Sequence, residues 1–221
     1  MIKPLAIVSR TFQLYYLIAA LSTLVFSCTS NNRKLPIYGE KEPVHKKVNG
    51  KDVVDTLYKA IPDFSLLNQD SSYITNRFFD GNIYVADFFF THCPSICPIM
   101  HRHLLKVYQR YRDNTHILFL SHSVDPTHDS PHVLKAYAKR LGVFDNRWQF
   151  VTGSQDQIYT LAEKSYVSAA QAAPDAPGGF VHSGYLLLID RQRRIRGVYE
   201  GTDSLAVLRL AEEIETLLRE K

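Results

Sequence analysis

Apolar and polar positions alternate along this chain in blocks that read as strands and helices in turn. The run Ile83 to Phe90 is almost unbroken in β-branched and aromatic residues, the pattern of a strand buried on both faces of a sheet. A helix follows to about Arg112, then a second apolar strand from His116 to Ser123, ending in Val124-Asp-Pro126. The next helix opens near Ser130 with Pro131 at its first position and closes at Leu141, with Gly142 as its C-cap. Arg147 to Thr152 reads as a short strand, and Ser154 caps a helix to about Ser165. After the small-residue loop Ala169 to Gly179, Phe180 to Asp190 and Arg194 to Tyr199 form a hairpin across Arg191-Gln-Arg193. Asp203 or Ser204 caps a last helix to Arg219. Upstream, Ile61-Pro-Asp-Phe-Ser-Leu-Leu67 is an alternating, edge-like segment, and the turn Phe79-Asp-Gly-Asn82 leads into the first buried strand. Alternation of this kind predicts an α/β three-layer domain.

The first 60 residues follow a different pattern. Met1 to Ser27 has a basic start with Lys3 and Arg10, then an uncharged, mostly apolar stretch from Thr11 to Phe26 that ends at Leu24-Val-Phe-Ser-Cys28. This predicts an export signal over 1–27, and its ending resembles a bacterial lipoprotein signal, in which Cys28 would be lipidated. An uncleaved membrane anchor is the alternative. Either tethers the domain to a membrane of the bacterial cell envelope, facing the periplasm or exterior. Residues 28–60 are polar and broken by Pro36, Gly39, Pro43 and Gly50, so they read as a tether, leaving 61–221 as one domain.

The chain has 221 residues, 45% of them hydrophobic, and a formal charge of +4, to which Lys3 and Arg10 contribute two. A near-neutral domain gives nucleic-acid binding no electrostatic support. No Gly-rich phosphate loop is present either.

The chemistry concentrates on Cys93 and Cys97, in Phe90-Thr-His-Cys-Pro-Ser-Ile-Cys-Pro98 at the end of the first buried strand, where ligands gather in open α/β sheets. Proline after Cys97 makes that residue the expected N-cap of the next helix, with Pro98 at the first helical position. The helix N-terminus should then favour thiolate over thiol. Three intervening residues allow either a disulfide or chelation of one soft metal ion. A structural disulfide is the bland reading, and a four-ligand zinc site lacks a second cysteine pair. Only three cysteines are present, so lipidation of Cys28 would leave one pair.

These residues, together with Pro62-Asp-Phe64, Ser123-Val-Asp-Pro126 with Asp129, Trp148-Gln-Phe-Val-Thr-Gly153, and Val181-His-Ser183 leading into Tyr185-Leu-Leu-Leu-Ile-Asp190, resemble the Sco family. Its members are membrane-anchored proteins concerned with copper delivery to cytochrome c oxidase. The resemblance spans roughly Ile61 to Leu218. It implies a thioredoxin-like three-layer sandwich with a central mixed sheet, and one copper ion, Cu(I) or Cu(II), held by Cys93, Cys97 and His182. It implies delivery to the copper-centre subunit of cytochrome c oxidase or to another periplasmic cuproprotein. Thiol-disulfide exchange by Cys93 and Cys97 as a redox pair is the alternative activity. His101, four residues after Cys97 on the same helix face, is a rival third ligand. His122 reads as a supporting residue and His92 as pointing away from Cys93. His116, His128 and His132 read as surface groups, and Asp125 and Asp129 as ligand-orienting or turn-capping. The chain departs from the family in having Val181 before the histidine, where an acidic residue is common, and in the extra histidines of His101-Arg-His103.

Overall fold

The computed structural model describes residues 34–166, 170–173 and 179–220, with Ala170, Ala172, Val181 and His182 described by their backbone alone. Its strands are β1 (Lys41–Val48), β2 (Lys51–Tyr58), β3 (Ser65–Asn68), β4 (Tyr73–Thr75), β5 (Ile83–Phe89), β6 (Ile117–Ser123), β7 (Trp148–Thr152), β8 (Ala170–Ala172), β9 (Phe180–His182), β10 (Tyr185–Ile189) and β11 (Ile195–Glu200). Its helices are α1 (Cys97–Arg110), α2 (Pro131–Leu141), α3 (Gln155–Lys164) and α4 (Ser204–Arg219).

Seven strands form one mixed sheet in the order β11-β10-β5-β6-β7-β3-β4. The three central strands run parallel, with Ile83 opposite Ile117 and Phe119 opposite Trp148; β10 and β3 flank them antiparallel, and the edge strands β11 and β4 are in turn antiparallel to β10 and β3. Every residue of β5, β6 and β7 is buried, which is why these segments read as continuous apolar runs rather than alternating ones. Several helix ends carry the caps that the sequence announces. Gly142 ends α2 at φ 80°, a conformation costing glycine little. The Ser154 hydroxyl accepts from the Gln157 N–H at 3.3 Å, and the Asp203 carboxylate from the Leu205 N–H at 2.9 Å. In the β10–β11 turn the Asp190 carboxylate accepts from the Gln192 and Arg194 N–H groups, both at 2.9 Å.

Two expectations change. The stretch 28–60, read as a tether, has regular structure in its described part, and residues 35–38 are docked. Leu35 is buried. The buried Arg196 guanidinium donates to the carbonyls of Leu35 and Pro36 and to the Glu220 carboxylate, while Tyr38 donates its N–H to Ile195. Then β1 and β2 pair as a hairpin across Asn49-Gly50, both at positive φ, the turn that an Asn-Gly pair favours. None of its residues is buried, so the apolar alternation that betrays most strands is missing. The second change is at α1, where Ile96 is the N-cap and Cys97 already the first helical residue. Among the described residues no helix is long and apolar enough to cross a membrane. The expected signal over 1–27 and its Cys28 lie outside the described residues.

Candidate metal centre

Because β5 and β6 run parallel, the loops that leave their C-terminal ends lie side by side. The β5 loop carries Thr91 to Ile96 with Cys93, and Cys97 opens α1 directly after it, while the β6 loop carries Val124 to Ser130. Asp129 ties them together. Its fully buried carboxylate accepts from the Thr91 N–H at 3.0 Å, the Thr91 hydroxyl at 2.5 Å and the Ser123 hydroxyl at 2.6 Å. A buried charge is tolerated at this level of hydrogen bonding. Asp129 therefore anchors the loop, and Asp125 accepts from the His128 N–H at 3.3 Å, a turn-capping contact.

Cys93 and Cys97 come together at the sheet edge of this loop. Neither is in a disulfide, and both are buried, Cys93 with 7% and Cys97 with 1% of its surface exposed. The expected thiolate at the helix N-terminus is not what the surroundings favour for Cys97. Its hydrogen bond with Cys93 and then its burial push the thiol well above the ordinary value, against a smaller opposite pull from the Phe90 backbone. The neighbouring sulfur and desolvation both favour the neutral thiol. A thiol pair of this kind ionises when a soft cation replaces the proton, so metal uptake releases protons.

The third expected ligand, His182, ends β9, which pairs with β8 and places His182 opposite Ala170. The strand is bracketed by contacts to the cysteine loop. Phe180 at its start packs on Phe90, ring centroids 5.3 Å apart. Gly184, two residues beyond His182, lies so close to Ile96 that a Cβ there would sit 3.4 Å from its Cδ1. The backbone of His182 thus runs beside the segment that holds both sulfurs.

His101 is not a ligand in this arrangement. It is fully buried with both ring nitrogens engaged: Nε2 lies 2.8 Å from Asp87 Oδ2 and Nδ1 2.8 Å from the Tyr137 hydroxyl. Asp87 Oδ1 accepts from Ser121 at 2.5 Å, and the Trp148 indole N–H donates to the same hydroxyl at 2.9 Å. Asp87 also contributes to the raised Cys97 value, so the network acts on the sulfurs electrostatically. This residue was not singled out from the sequence. Its signal is an aspartate inside an otherwise apolar strand, a residue type almost never buried unless paired.

His122, read as a supporting residue near a strand end, is fully buried and stacked on Phe88 at 4.6 Å. Its Nδ1–H donates to the Asp87 carbonyl at 3.1 Å, and its Nε2 has no hydrogen-bond partner. Burial lowers its pKa to about 4 from an ordinary 6.5. The unfolded chain therefore binds a proton here that the folded one refuses. Stability from this residue is full above the unfolded value and is lost as the pH falls from 6.5 towards 4, by about 3 kcal/mol in all. Urea midpoints measured across that window should fall steeply for the natural chain and less for His122→Phe. Parallel curves would show that another group carries the acid sensitivity. His116 and His132 are exposed, as expected, and so are His92 and His128.

The SCO1/SenC family model matches residues 55–219. The chain belongs to that family. A solved SCO1/SenC family lipoprotein from Bacillus anthracis is 25% identical and superposes with a TM-score of 0.67, covering 72% of this chain and 95% of its own. BsSco, described as a member of the Sco family of cytochrome c oxidase assembly proteins with a disulfide switch, is 26% identical with a TM-score of 0.65, covering 73% of this chain and 95% of its own. Arabidopsis thaliana ScoI, solved with copper bound, shares the fold at 23% identity and a TM-score of 0.62, covering 74% of this chain and all of its own. The thioredoxin-like fold expected from the sequence is the observed one.

Proposed function

We propose that this protein binds one copper ion through Cys93, Cys97 and His182 and delivers it to the binuclear copper centre of cytochrome c oxidase during assembly. The observation that carries this reading is the pair of contacting, reduced, buried sulfurs at the end of β5, with the strand that ends in His182 packed beside their loop. Thiolates select Cu(I), imidazole accepts both oxidation states, and three ligands leave the ion open to transfer. Copper is cargo in this scheme. Membership of the SCO1/SenC family and the oxidase-assembly description of BsSco support the destination. Anchoring through a lipidated Cys28, with the domain outside the membrane, would hold the carrier near a membrane-bound acceptor and raise its effective concentration there. The same two sulfurs suit a second reading, reduction of a partner's disulfide, which their proximity favours.

Copper titration of the full chain in detergent separates the two. The reduced protein should take up one equivalent of Cu(I), and the protein oxidised to the Cys93–Cys97 disulfide almost none. Stoichiometric copper absent from the reduced protein, with disulfide reduction retained, would leave the oxidoreductase reading in its place.

A further inference from the structure

Beside the cysteine pair lies a group of side chains that this copper chemistry does not use. His92, Asp125 and His128 each offer a ligand atom, and these atoms lie within 4.8 Å of one another. His92 comes from the β5 loop, one residue before Cys93, and the other two from the β6 loop. We propose that His92, Asp125 and His128 form a second metal site, for a divalent first-row cation such as Cu(II) or Zn(II), at the mouth of the loop that carries Cys93.

The geometry is that of a site needing a small closure. His92 Nε2 is 3.8 Å from Asp125 Oδ2, and the His92 and His128 rings have centroids 4.5 Å apart. A cation bound at about 2.0–2.2 Å from nitrogen and oxygen donors draws them to within roughly 4 Å of one another. Both histidines are about half exposed, 40% and 53%, and can make that adjustment. Asp125 is fixed, with only 9% of its side chain exposed and its Oδ1 already accepting the His128 N–H.

The support behind these ligands is built as well. His128 Nδ1 lies 3.0 Å from Asp129 Oδ1, the fully buried carboxylate already held by Thr91 and Ser123. A carboxylate on one imidazole nitrogen fixes the tautomer and leaves the lone pair of the other for a metal, an arrangement general among metal-bound histidines. Phe90 packs edge-on against the His92 ring at 4.9 Å and limits its orientations.

Two imidazoles and a carboxylate are a borderline-to-hard donor set. It suits divalent ions, with Cu(II) bound most tightly by the Irving–Williams order, whereas Cu(I) prefers the sulfurs. Three protein ligands leave positions open for water or an incoming group. The site thus differs in chemistry from the cysteine pair and shares one loop with it, so an oxidised ion can be held next to the thiols without using them.

The test uses the full chain in detergent with Cys93→Ser and Cys97→Ser, which removes the thiols. Titrated with Cu(II) or with Zn(II), it should bind one equivalent, and the Cu(II) resonance spectrum should show two coupled nitrogens. Adding His92→Gln or His128→Gln should weaken binding by about 10–100-fold, the range that even loss of a supporting residue reaches. His92→Gln should also leave one coupled nitrogen, a readout that a general loosening of the fold would not give. His132→Gln and His182→Gln should change neither affinity nor spectrum. Absence of stoichiometric binding, indifference to His92 and His128, or dependence on His182 would each overturn the proposal.

Discussion

His101→Ala is expected to destabilise the fold by about 3–5 kcal/mol, the cost of leaving a buried charge without its partner. Asp87 has none of its surface exposed, and the His101 ring is the partner of its Oδ2, at 2.8 Å. The Ser121 hydroxyl remains on Oδ1 after the substitution, but Oδ2 faces a cavity where the imidazole was. Domains of this kind are stable by only about 5–15 kcal/mol, so the variant should sit close to unfolding at moderate urea. Equilibrium denaturation checks it through a lower midpoint at an unchanged slope. His101→Gln, which keeps an N–H donor in roughly the same place, should recover part of the loss. A cost below about 1 kcal/mol for His101→Ala would place it among ordinary surface substitutions and remove the reason given for its burial. The folded fraction of the variant should still bind Cu(I), because His101 has both nitrogens engaged away from the sulfurs.

The parts of this protein that were legible in its sequence are those in which local chemistry and burial agree. The β5 run, Pro131 with Gly142, Ser154 and Asp203 each declared an element whose observed ends match closely. The hairpin over 41–58 is not legible from hydrophobic alternation because none of its residues is buried, although Asn49-Gly50 is itself a hairpin signal. The docking of Leu35 depended on Arg196, some 160 residues away, through its hydrogen bonds to the Leu35 and Pro36 carbonyls. No local pattern carries such a contact. The cysteines were legible as a site from their place between strand and helix. Their protonation was not, since it turns on the mutual contact and burial of two sulfurs. His101 looked like a ligand because it shares a helix face with Cys97. That face turns inward onto Asp87. His128 read as a surface group, and the exposure is real. Its pairing with His92 arises only because β5 and β6 are parallel neighbours, which the sequence does not state.

Copper and oxidation should compete for the same two sulfurs. Oxidation to a disulfide consumes both thiols, so a cation that needs them binds the reduced form alone and stabilises it by mass action. Reduction of the disulfide then becomes more favourable, and the apparent potential moves in the positive direction by about 30 mV for each tenfold preference of copper for the reduced protein. His182→Ala should shrink that displacement without abolishing it, since two sulfurs remain, and should leave the metal-free potential much less affected. A residue that merely tuned thiol chemistry would do the opposite. The decisive measurement is the reduction potential of the Cys93–Cys97 pair in the full chain, taken without metal and again at saturating Cu(I). A large positive displacement is expected if the pair is the copper site; an unchanged potential under saturating Cu(I) would contradict it.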